Sequence, residues 1–254
     1  MFFDSHAHYD SSQFNNDREE LIDALHKEGV DLVCNIGCDL SSSLKSVQLA
    51  EKYDWFYATV GTHPSDTDKM TDSDLTMYEM LSRNPKVVAI GEIGLDYYWD
   101  NSPRELQQQR FRQQMELAKK LKMPVVIHDR EAHEDCMKIV RDYYRDVRGV
   151  FHCYSGELEM AKQLVKMGWY IGMTGVVTYK NARKSVEVVQ WIPEDRLLIE
   201  TDCPYLTPVP NRGKRNDSRN LRYTAERIAE VRGTTLEHVA EFTAQNAKEF
   251  YNIR

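Results

Sequence analysis

The sequence predicts one (β/α)8 barrel, a TIM barrel of the α/β class, as a single domain over residues 1–254. Eight short apolar runs recur along the chain at near-regular intervals. Most of the intervals between them carry the periodicity of amphipathic helices. The length also fits, because barrels of this class typically fill about 250 residues as one unit. A doubly wound open sheet is the alternative on the pattern alone.

The eight runs have the length of buried parallel strands, which are continuously apolar because helices cover both faces of the sheet. They begin at Phe2, Asp31, Trp55, Val87, Val125, Gly149, Tyr170 and Leu197. Apolar residues at helical spacing predict helices over residues 17–28, 104–121, 157–167, 221–231 and 236–251. Gly29 and Gly168 follow the first and third of these helices, where glycine is typical of a C-terminal cap. The sequence has no internal repeat and no Pro/Gly/Ser-rich linker, so we expect one domain.

Composition argues against several classes of protein. With 33 Lys and Arg against 40 Asp and Glu, the net charge is −7, which disfavours coating of nucleic acid or anionic membrane through bulk charge. No apolar stretch approaches the roughly 20 residues of a membrane span, and the first residues lack the features of a secretory signal. Five scattered cysteines without a Cys-x-x-Cys pair disfavour a disulfide framework and a zinc knuckle. We expect a soluble, cytoplasmic protein that does not contact membranes.

Polar residues follow the apolar runs where a barrel assembles its active site. Parallel barrels present the carboxyl ends of their strands on one face. The residues of metal-binding type at these ends are His6, His8, Glu92, His128, His152 and Asp202. Each one alone has an ordinary structural explanation, such as a buried histidine bonded to backbone or a carboxylate in an ion pair. Six such side chains at matching strand ends are a much more specific signal.

The spacing within two of these segments adds detail. His6 and His8 are two residues apart, so in a strand both imidazoles point to the same face. Glu200 and Asp202 share a face by the same period unless a bulge intervenes, and only one of them needs to be a ligand. We favour Asp202 because it is nearer to the open end of the barrel.

Imidazole and carboxylate ligands without thiolate suit zinc, manganese, nickel, cobalt or magnesium. Gly91 and Gly94 flank Glu92 and indicate close backbone approach around that carboxylate. Because six ligands exceed the needs of one tetrahedral site, two divalent ions sharing Glu92 is the economical arrangement. Two ions roughly 3.5–4 Å apart stabilise both the attacking and the leaving oxygen of a phosphoryl displacement.

Seven segments that run from residue 2 to the C-terminus carry a more specific pattern: FDSHAH, GTHP, VVAIGEIGLDYYWD, VIHDREA, FHCYSG, LLIETDCPYLTP and RGKRND. Together they resemble the TatD-like metal-dependent deoxyribonucleases of the amidohydrolase superfamily. This resemblance implies a (β/α)8 barrel that hydrolyses phosphodiester bonds of DNA with divalent metal, in several members as a 3′–5′ exonuclease. Deacylation of D-aminoacyl-tRNA has also been attributed to TatD-like proteins, so the resemblance leaves the substrate open.

The resemblance also implies a role for each ligand. Some members lack the His-x-His pair, and its presence here favours the form with two ions. Asp202 would orient the attacking water and accept its proton, and with Glu92 it is our candidate catalytic residue. The implied set is one ion held by His6, His8 and Asp202 and a second held by His128 and His152, with Glu92 bridging.

Basic and aromatic residues near the strand ends are candidates for substrate binding. Residues 212–222 hold five cations against one acid and follow the eighth run, where barrels often bind phosphate. Arg212 and Arg215 would contact phosphate oxygens, and His63 is a third candidate. The aromatic residues 97–99 either stack an unpaired base or pack their loop onto the barrel.

The function we expect is metal-dependent hydrolysis of DNA at single-stranded or frayed ends by a monomer. A D-aminoacyl-tRNA deacylase, or another ester or amide hydrolase, is the alternative within hydrolases. A catalytically silent metal-binding scaffold is the alternative outside them. The basic segment favours a polyanion but does not separate DNA from tRNA.

Overall fold

The structure, a computed structural model, describes residues 1–253. Its eight strands form one sheet in the order β1 to β8 and alternate with helices. This order confirms the predicted (β/α)8 fold class and differs from a doubly wound sheet, where the strand order reverses at a switch point.

Each strand begins within one residue of its predicted start. The strands are β1 (Phe2–Ala7), β2 (Val30–Asn35), β3 (Phe56–Val60), β4 (Val87–Asp96), β5 (Val125–Arg130), β6 (Gly149–Phe151), β7 (Tyr170–Met173) and β8 (Leu197–Ile199). The helices are α1 (Arg18–Leu25), α2 (Leu40–Lys52), α3 (Asp72–Leu81), α4 (Arg104–Leu121), α5 (His133–Tyr143), α6 (Leu158–Lys166), α7 (Arg183–Trp191), α8 (Leu221–Arg232) and α9 (Leu236–Tyr251). β4 and β5 run beyond the ends of their apolar runs, at Ile90 and Ile127, as far as Asp96 and Arg130. Within residues 1–253, no helix combines the length and the apolar character needed to cross a bilayer.

Internal contacts divide the chain into two compact units, which we describe separately. The first unit comprises residues 1–35, 153–166 and the chain from 170 onward, and it holds β1, β2, β7 and β8. The second unit comprises residues 36–152 and 167–169, and it holds β3 to β6. This division does not test the predicted single domain, which stays a prediction.

In the first unit, one buried carboxylate joins β1 to the segment that follows β8. Asp4 accepts hydrogen bonds from the backbone N–H of Thr201 (2.9 Å) and from the hydroxyls of Thr201 and Ser218 (2.6 Å each). Burial raises the pKa of Asp4 to about 7, although these hydrogen bonds work in the opposite direction. Ala7 also bridges in parallel to Cys203, which brings the end of β1 beside the segment after β8.

In the second unit, two buried glutamines of α4 hold the ends of two strands. Gln114 accepts from the N–H of Thr62 (2.7 Å) and donates to the carbonyl oxygen of the same residue (3.1 Å). Gln107 makes the same pair of bonds to Asp96, at 2.9 and 3.1 Å. The two glutamines are seven residues apart and therefore lie on one face of the helix. They satisfy backbone groups at the ends of β3 and β4 that lack a ladder partner.

The close approach predicted around Glu92 is confirmed. A Cβ built on Gly91 would lie 2.7 Å from Cβ of Val126, and one on Gly94 would lie 2.0 Å from the carbonyl oxygen of His128. Glycine at these two positions of β4 lets the strand pack directly against β5.

We expect Gly94→Ala to lower the free energy of unfolding by more than about 2 kcal/mol. Gly94 has φ of +139°, so the variant suffers both backbone strain and a clash with β5. Gly168→Ala is the matched control, because Gly168 also has positive φ (+82°) but its Cβ would meet open space. The control should lose only about 1 kcal/mol. Urea unfolding measures both losses, and equal values would show that β5 accommodates the methyl group without cost.

Candidate metal centre

The first unit brings together two histidines and one aspartate. His6 lies in β1 and His8 follows it, and their Nε2 atoms are 3.1 Å apart. Oδ1 of Asp202 lies 3.2 Å from Nε2 of His8 and 3.6 Å from Nε2 of His6. Two imidazole nitrogens and a carboxylate oxygen converging in this way form a donor set suited to a divalent cation.

The backbone after β8 explains how Asp202 reaches this position. β8 ends at Ile199, so the period-two relation between Glu200 and Asp202 does not extend through the segment. Asp202 has φ of +56°, and its N–H donates to the carbonyl oxygen of His6 at 2.9 Å. Glu200 is buried and accepts hydrogen bonds from the N–H of Cys153 (2.5 Å) and the hydroxyl of Ser5 (3.3 Å). The two carboxylates therefore have different surroundings.

The second unit gathers three histidines around Glu92. Oε1 of this buried carboxylate lies 2.7 Å from Nε2 of His152, 2.9 Å from Nδ1 of His128 and 3.8 Å from Nε2 of His63. The sequence pattern placed Glu92 in a segment after the fourth strand, and this was wrong. Glu92 lies inside β4, because the strand continues to Asp96.

Asp96 is a member of this group that the sequence reasoning missed. Its Oδ2 lies 2.9 Å from Nε2 of His128, and its Oδ1 accepts from the N–H groups of Tyr98 (3.0 Å) and Trp99 (2.9 Å). Asp96 is four residues after Glu92 in the same strand, so the alternation of side chains puts both on one face. That signal was available in the sequence but depends on knowing that β4 extends so far.

The surroundings set the charge of each group. Burial, followed by the neighbouring His128, lowers the pKa of His63 to about 3, so this imidazole is neutral at physiological pH. Burial opposes the charged form of His128, but hydrogen bonds with Asp96 and Glu92 outweigh it and raise the pKa of His128. Burial also opposes the charged form of Asp96, and hydrogen bonds from His128 and from the N–H of Trp99 nevertheless lower the pKa of that carboxyl.

These residues fit a divalent metal. The ligand atoms of His63, Glu92 and His128 all lie within 4.8 Å of one another. A carboxylate such as Asp96, bonded to the second nitrogen of a ligating histidine, fixes the ring and its tautomer. The structure thus groups the six predicted ligands in two sets, one in each unit, and adds His63 and Asp96 to the second set.

Several cations of the basic segment, residues 212–222, form ion pairs, although the segment itself contains only one acidic residue. Arg215 donates to both carboxylate oxygens of Asp17, one of them at 2.8 Å, and its guanidinium lies 4.6 Å from the ring centre of Phe14. Arg212 lies over the ring of Tyr179 at 4.3 Å. Two further pairs in and beside the segment are Arg219 with Asp217 and Arg222 with Glu226. Phosphate binding by Arg212 and Arg215 stays a prediction, and at Arg215 a phosphate would compete with Asp17.

The three aromatic residues after β4 have two different environments. Tyr97 donates its hydroxyl to Asp135 at 2.8 Å, and the guanidinium of Arg104 lies 4.4 Å from its ring centre. This residue packs the loop. Tyr98 and Trp99 are 51% and 59% exposed, so much of their surface remains in water.

Comparisons with known proteins found a matching family model, similar sequences and a similar solved structure. The family model described as TatD related DNase matches residues 3–252. A metal-dependent hydrolase of Bacillus subtilis, YabD, is 45% identical over 254 residues, with all of both chains covered. The 3′-5′ ssDNA/RNA exonuclease TatD of Salmonella typhimurium is 32% identical, with 99% of each chain covered. The crystal structure of YjjV, a TatD homologue from Escherichia coli, superposes with a TM-score of 0.93 at 30% identity, covering 100% of this chain and 98% of that one.

We expect Asp96→Asn to weaken divalent metal binding by about 10- to 100-fold. The amide keeps an oxygen for the N–H groups of Tyr98 and Trp99 but removes the charge that stabilises His128. Isothermal titration with Mn²⁺ measures the loss. Asp135→Asn is the control, because that carboxylate contacts the hydroxyl of Tyr97. An unchanged affinity in Asp96→Asn would remove Asp96 from the metal group.

Metal binding is expected to release a proton from His128 at pH 6. The pKa of His128 is raised above its ordinary value of 6.5, so the imidazole is mostly protonated at this pH and must lose about one proton to bind metal. Affinity at the second group should therefore rise as the pH rises. Calorimetry in two buffers of different ionisation enthalpy counts the protons released. His128→Gln should release about one fewer than the parent, and equal counts would contradict the assignment.

Proposed function

This chain belongs to the TatD-related DNase family of metal-dependent hydrolases, and from that membership we propose that it cleaves phosphodiester bonds of single-stranded DNA from the 3′ end. The observation that carries the proposal is the convergence of histidine nitrogens on a buried carboxylate at Glu92 and on Asp202. The name of the Salmonella relative supports the substrate class and the polarity. That name also includes RNA, so an RNA strand is the second substrate to test.

We assign two divalent ions to the two ligand sets. One set is His6, His8 and Asp202, and the other is Glu92, His128 and His152, with Glu92 shared between the ions. The sharing rests on the number of ligands and on the sequence resemblance. Bound magnesium, manganese, zinc, nickel or cobalt would supply charge that lowers the pKa of water and neutralises the phosphoryl transition state.

The side chains of this chain have distinct tasks in the reaction. Asp202 has a side chain that is 15% exposed, so its carboxylate can orient a water and accept its proton as the water oxygen attacks phosphorus. Asp96 holds the ring of His128, and neutral His63 offers a hydrogen bond to a phosphate oxygen. Arg212, whose guanidinium lies over Tyr179, is a candidate for a phosphate farther along the strand. The bond to the departing 3′-oxygen breaks as the new bond to phosphorus forms.

We also propose that the protein is a monomer and that it works in a reduced cytoplasmic compartment, where free cysteines such as the five of this chain are typical. The competing substrate within hydrolases is aminoacyl-tRNA, which the same basic segment would accommodate. A substrate comparison with a single preparation separates the two.

Digestion of a 5′-labelled DNA oligonucleotide tests the function directly. The metal-stripped protein should leave the strand intact, and addition of Mg²⁺ or Mn²⁺ should give a ladder that shortens from the 3′ end. Asp202→Asn should keep metal and DNA binding but lose about 100-fold or more in rate, because the proton acceptor is gone. Glu92→Gln should lose turnover through loss of metal.

Two results would count against the proposal. A parent protein that binds metal and leaves both DNA and RNA intact, but hydrolyses D-aminoacyl-tRNA, would establish the deacylase. Near-normal rates in Asp202→Asn would remove that residue from proton transfer.

A further inference from the structure

The second unit carries an exposed aromatic pair beside the Glu92 group. Tyr98 and Trp99 expose about half or more of their surface, and their rings meet edge to face with centroids 5.1 Å apart. Leaving two large rings in water forgoes the free energy that burial would provide. Adjacent exposed aromatic side chains are typical of a surface that binds a ligand.

A cation completes this surface. The guanidinium carbon of Arg130 lies 3.9 Å from the ring centre of Tyr98 and 5.5 Å from that of Trp99. Arg130 is exposed, and within residues 1–253 it forms no ion pair with a carboxylate. Its charge is therefore available to an anionic ligand, and its guanidinium lies beside both rings.

The surface is anchored to the metal group by one carboxylate. Oδ1 of Asp96 accepts the N–H groups of Tyr98 and Trp99, while Oδ2 bonds to His128. The turn that carries the two rings cannot shift without losing these bonds. The aromatic pair and the Glu92 group are therefore linked through the same carboxylate.

We propose that Tyr98, Trp99 and Arg130 form a stacking platform that takes one unpaired nucleobase of the substrate strand, with Arg130 on the adjoining phosphate. This inference rests on the proposed function and adds the contact that selects a strand with unstacked bases. The flat ring of Trp99, beside a guanidinium that has no carboxylate partner within residues 1–253, complements a planar base joined to a phosphate. Because the chain carries a net charge of −7, overall electrostatic attraction does not favour binding of a nucleic-acid strand. A local stacking contact supplies binding free energy in its place.

Equilibrium binding tests the platform without requiring turnover. The probe is a fluorescein-labelled oligothymidylate with phosphorothioate linkages that resist hydrolysis, titrated with the metal-loaded protein and followed by fluorescence anisotropy. Trp99→Ala should raise the Kd about tenfold, and Trp99→Phe should raise it less than about threefold because a ring remains. Trp191→Ala is the matched control, since Trp191 is 37% exposed and lies 6.0 Å from Nζ of Lys162, another aromatic–cation pair. Its Kd should equal that of the parent.

A second set of probes identifies the contact as base stacking. Each carries one abasic nucleotide at a different position from the 3′ end. At one of these positions the missing base should raise the Kd of the parent about tenfold. The same probe should bind Trp99→Ala as well as the intact strand does, because this variant has already lost the stacking contact.

The outcomes separate this inference from the proposed hydrolysis. Equal Kd values for the parent and Trp99→Ala, the same abasic penalty in both proteins, or no binding by the parent would each overturn the platform. If the parent binds in a Trp99-dependent manner but leaves an ordinary phosphodiester strand intact, the platform is supported and the proposed hydrolysis fails.

Discussion

Burial of the Glu92 carboxylate in the interior of β4 is the constraint on which the second unit depends. A charge in that position is costly unless nearby groups compensate for it. The imidazoles of His128 and His152 lie within 2.9 Å of Oε1 and can donate hydrogen bonds to it. Two histidines facing one oxygen compete for the same acceptor atom. A cation among these atoms satisfies all three at once, which is why we interpret the group as a metal centre and not as a structural ion pair.

The surrounding fold holds these side chains rigidly. Gly91 and Gly94 allow β4 to contact β5 directly, and Gln107 and Gln114 of α4 satisfy the backbone at the ends of β4 and β3. Bonds of this kind are short and buried, so small displacements of the strands would break them. The position of Glu92 and Asp96 in β4 thereby depends on residues outside the metal group.

Asp96 connects the chemistry to the substrate surface. One oxygen orients His128, and the other fixes the turn that presents Tyr98 and Trp99. Loss of the charge on Asp96 would therefore affect the metal group and the aromatic turn to different degrees. The amide of asparagine can still accept the N–H groups but does not stabilise an imidazolium in the same way. We therefore expect metal affinity to depend on Oδ2 of Asp96 and strand binding to depend on Oδ1.

The sequence by itself determined the fold class and the starts of all eight strands, because buried parallel strands are continuously apolar and local composition suffices to find them. It also predicted a set of candidate metal ligands, from His6 to Asp202, because barrels build their sites at strand ends, and the role of each as a ligand stays a prediction. Tertiary structure alone decided that Glu92 and Asp96 lie inside β4, because the groups that partner this part of the strand come from β5 and α4, namely His128 and Gln107. It also decided that Arg215 pairs with Asp17, a residue far away in the sequence. Such pairings depend on which segments meet in space, and local periodicity carries no information about that.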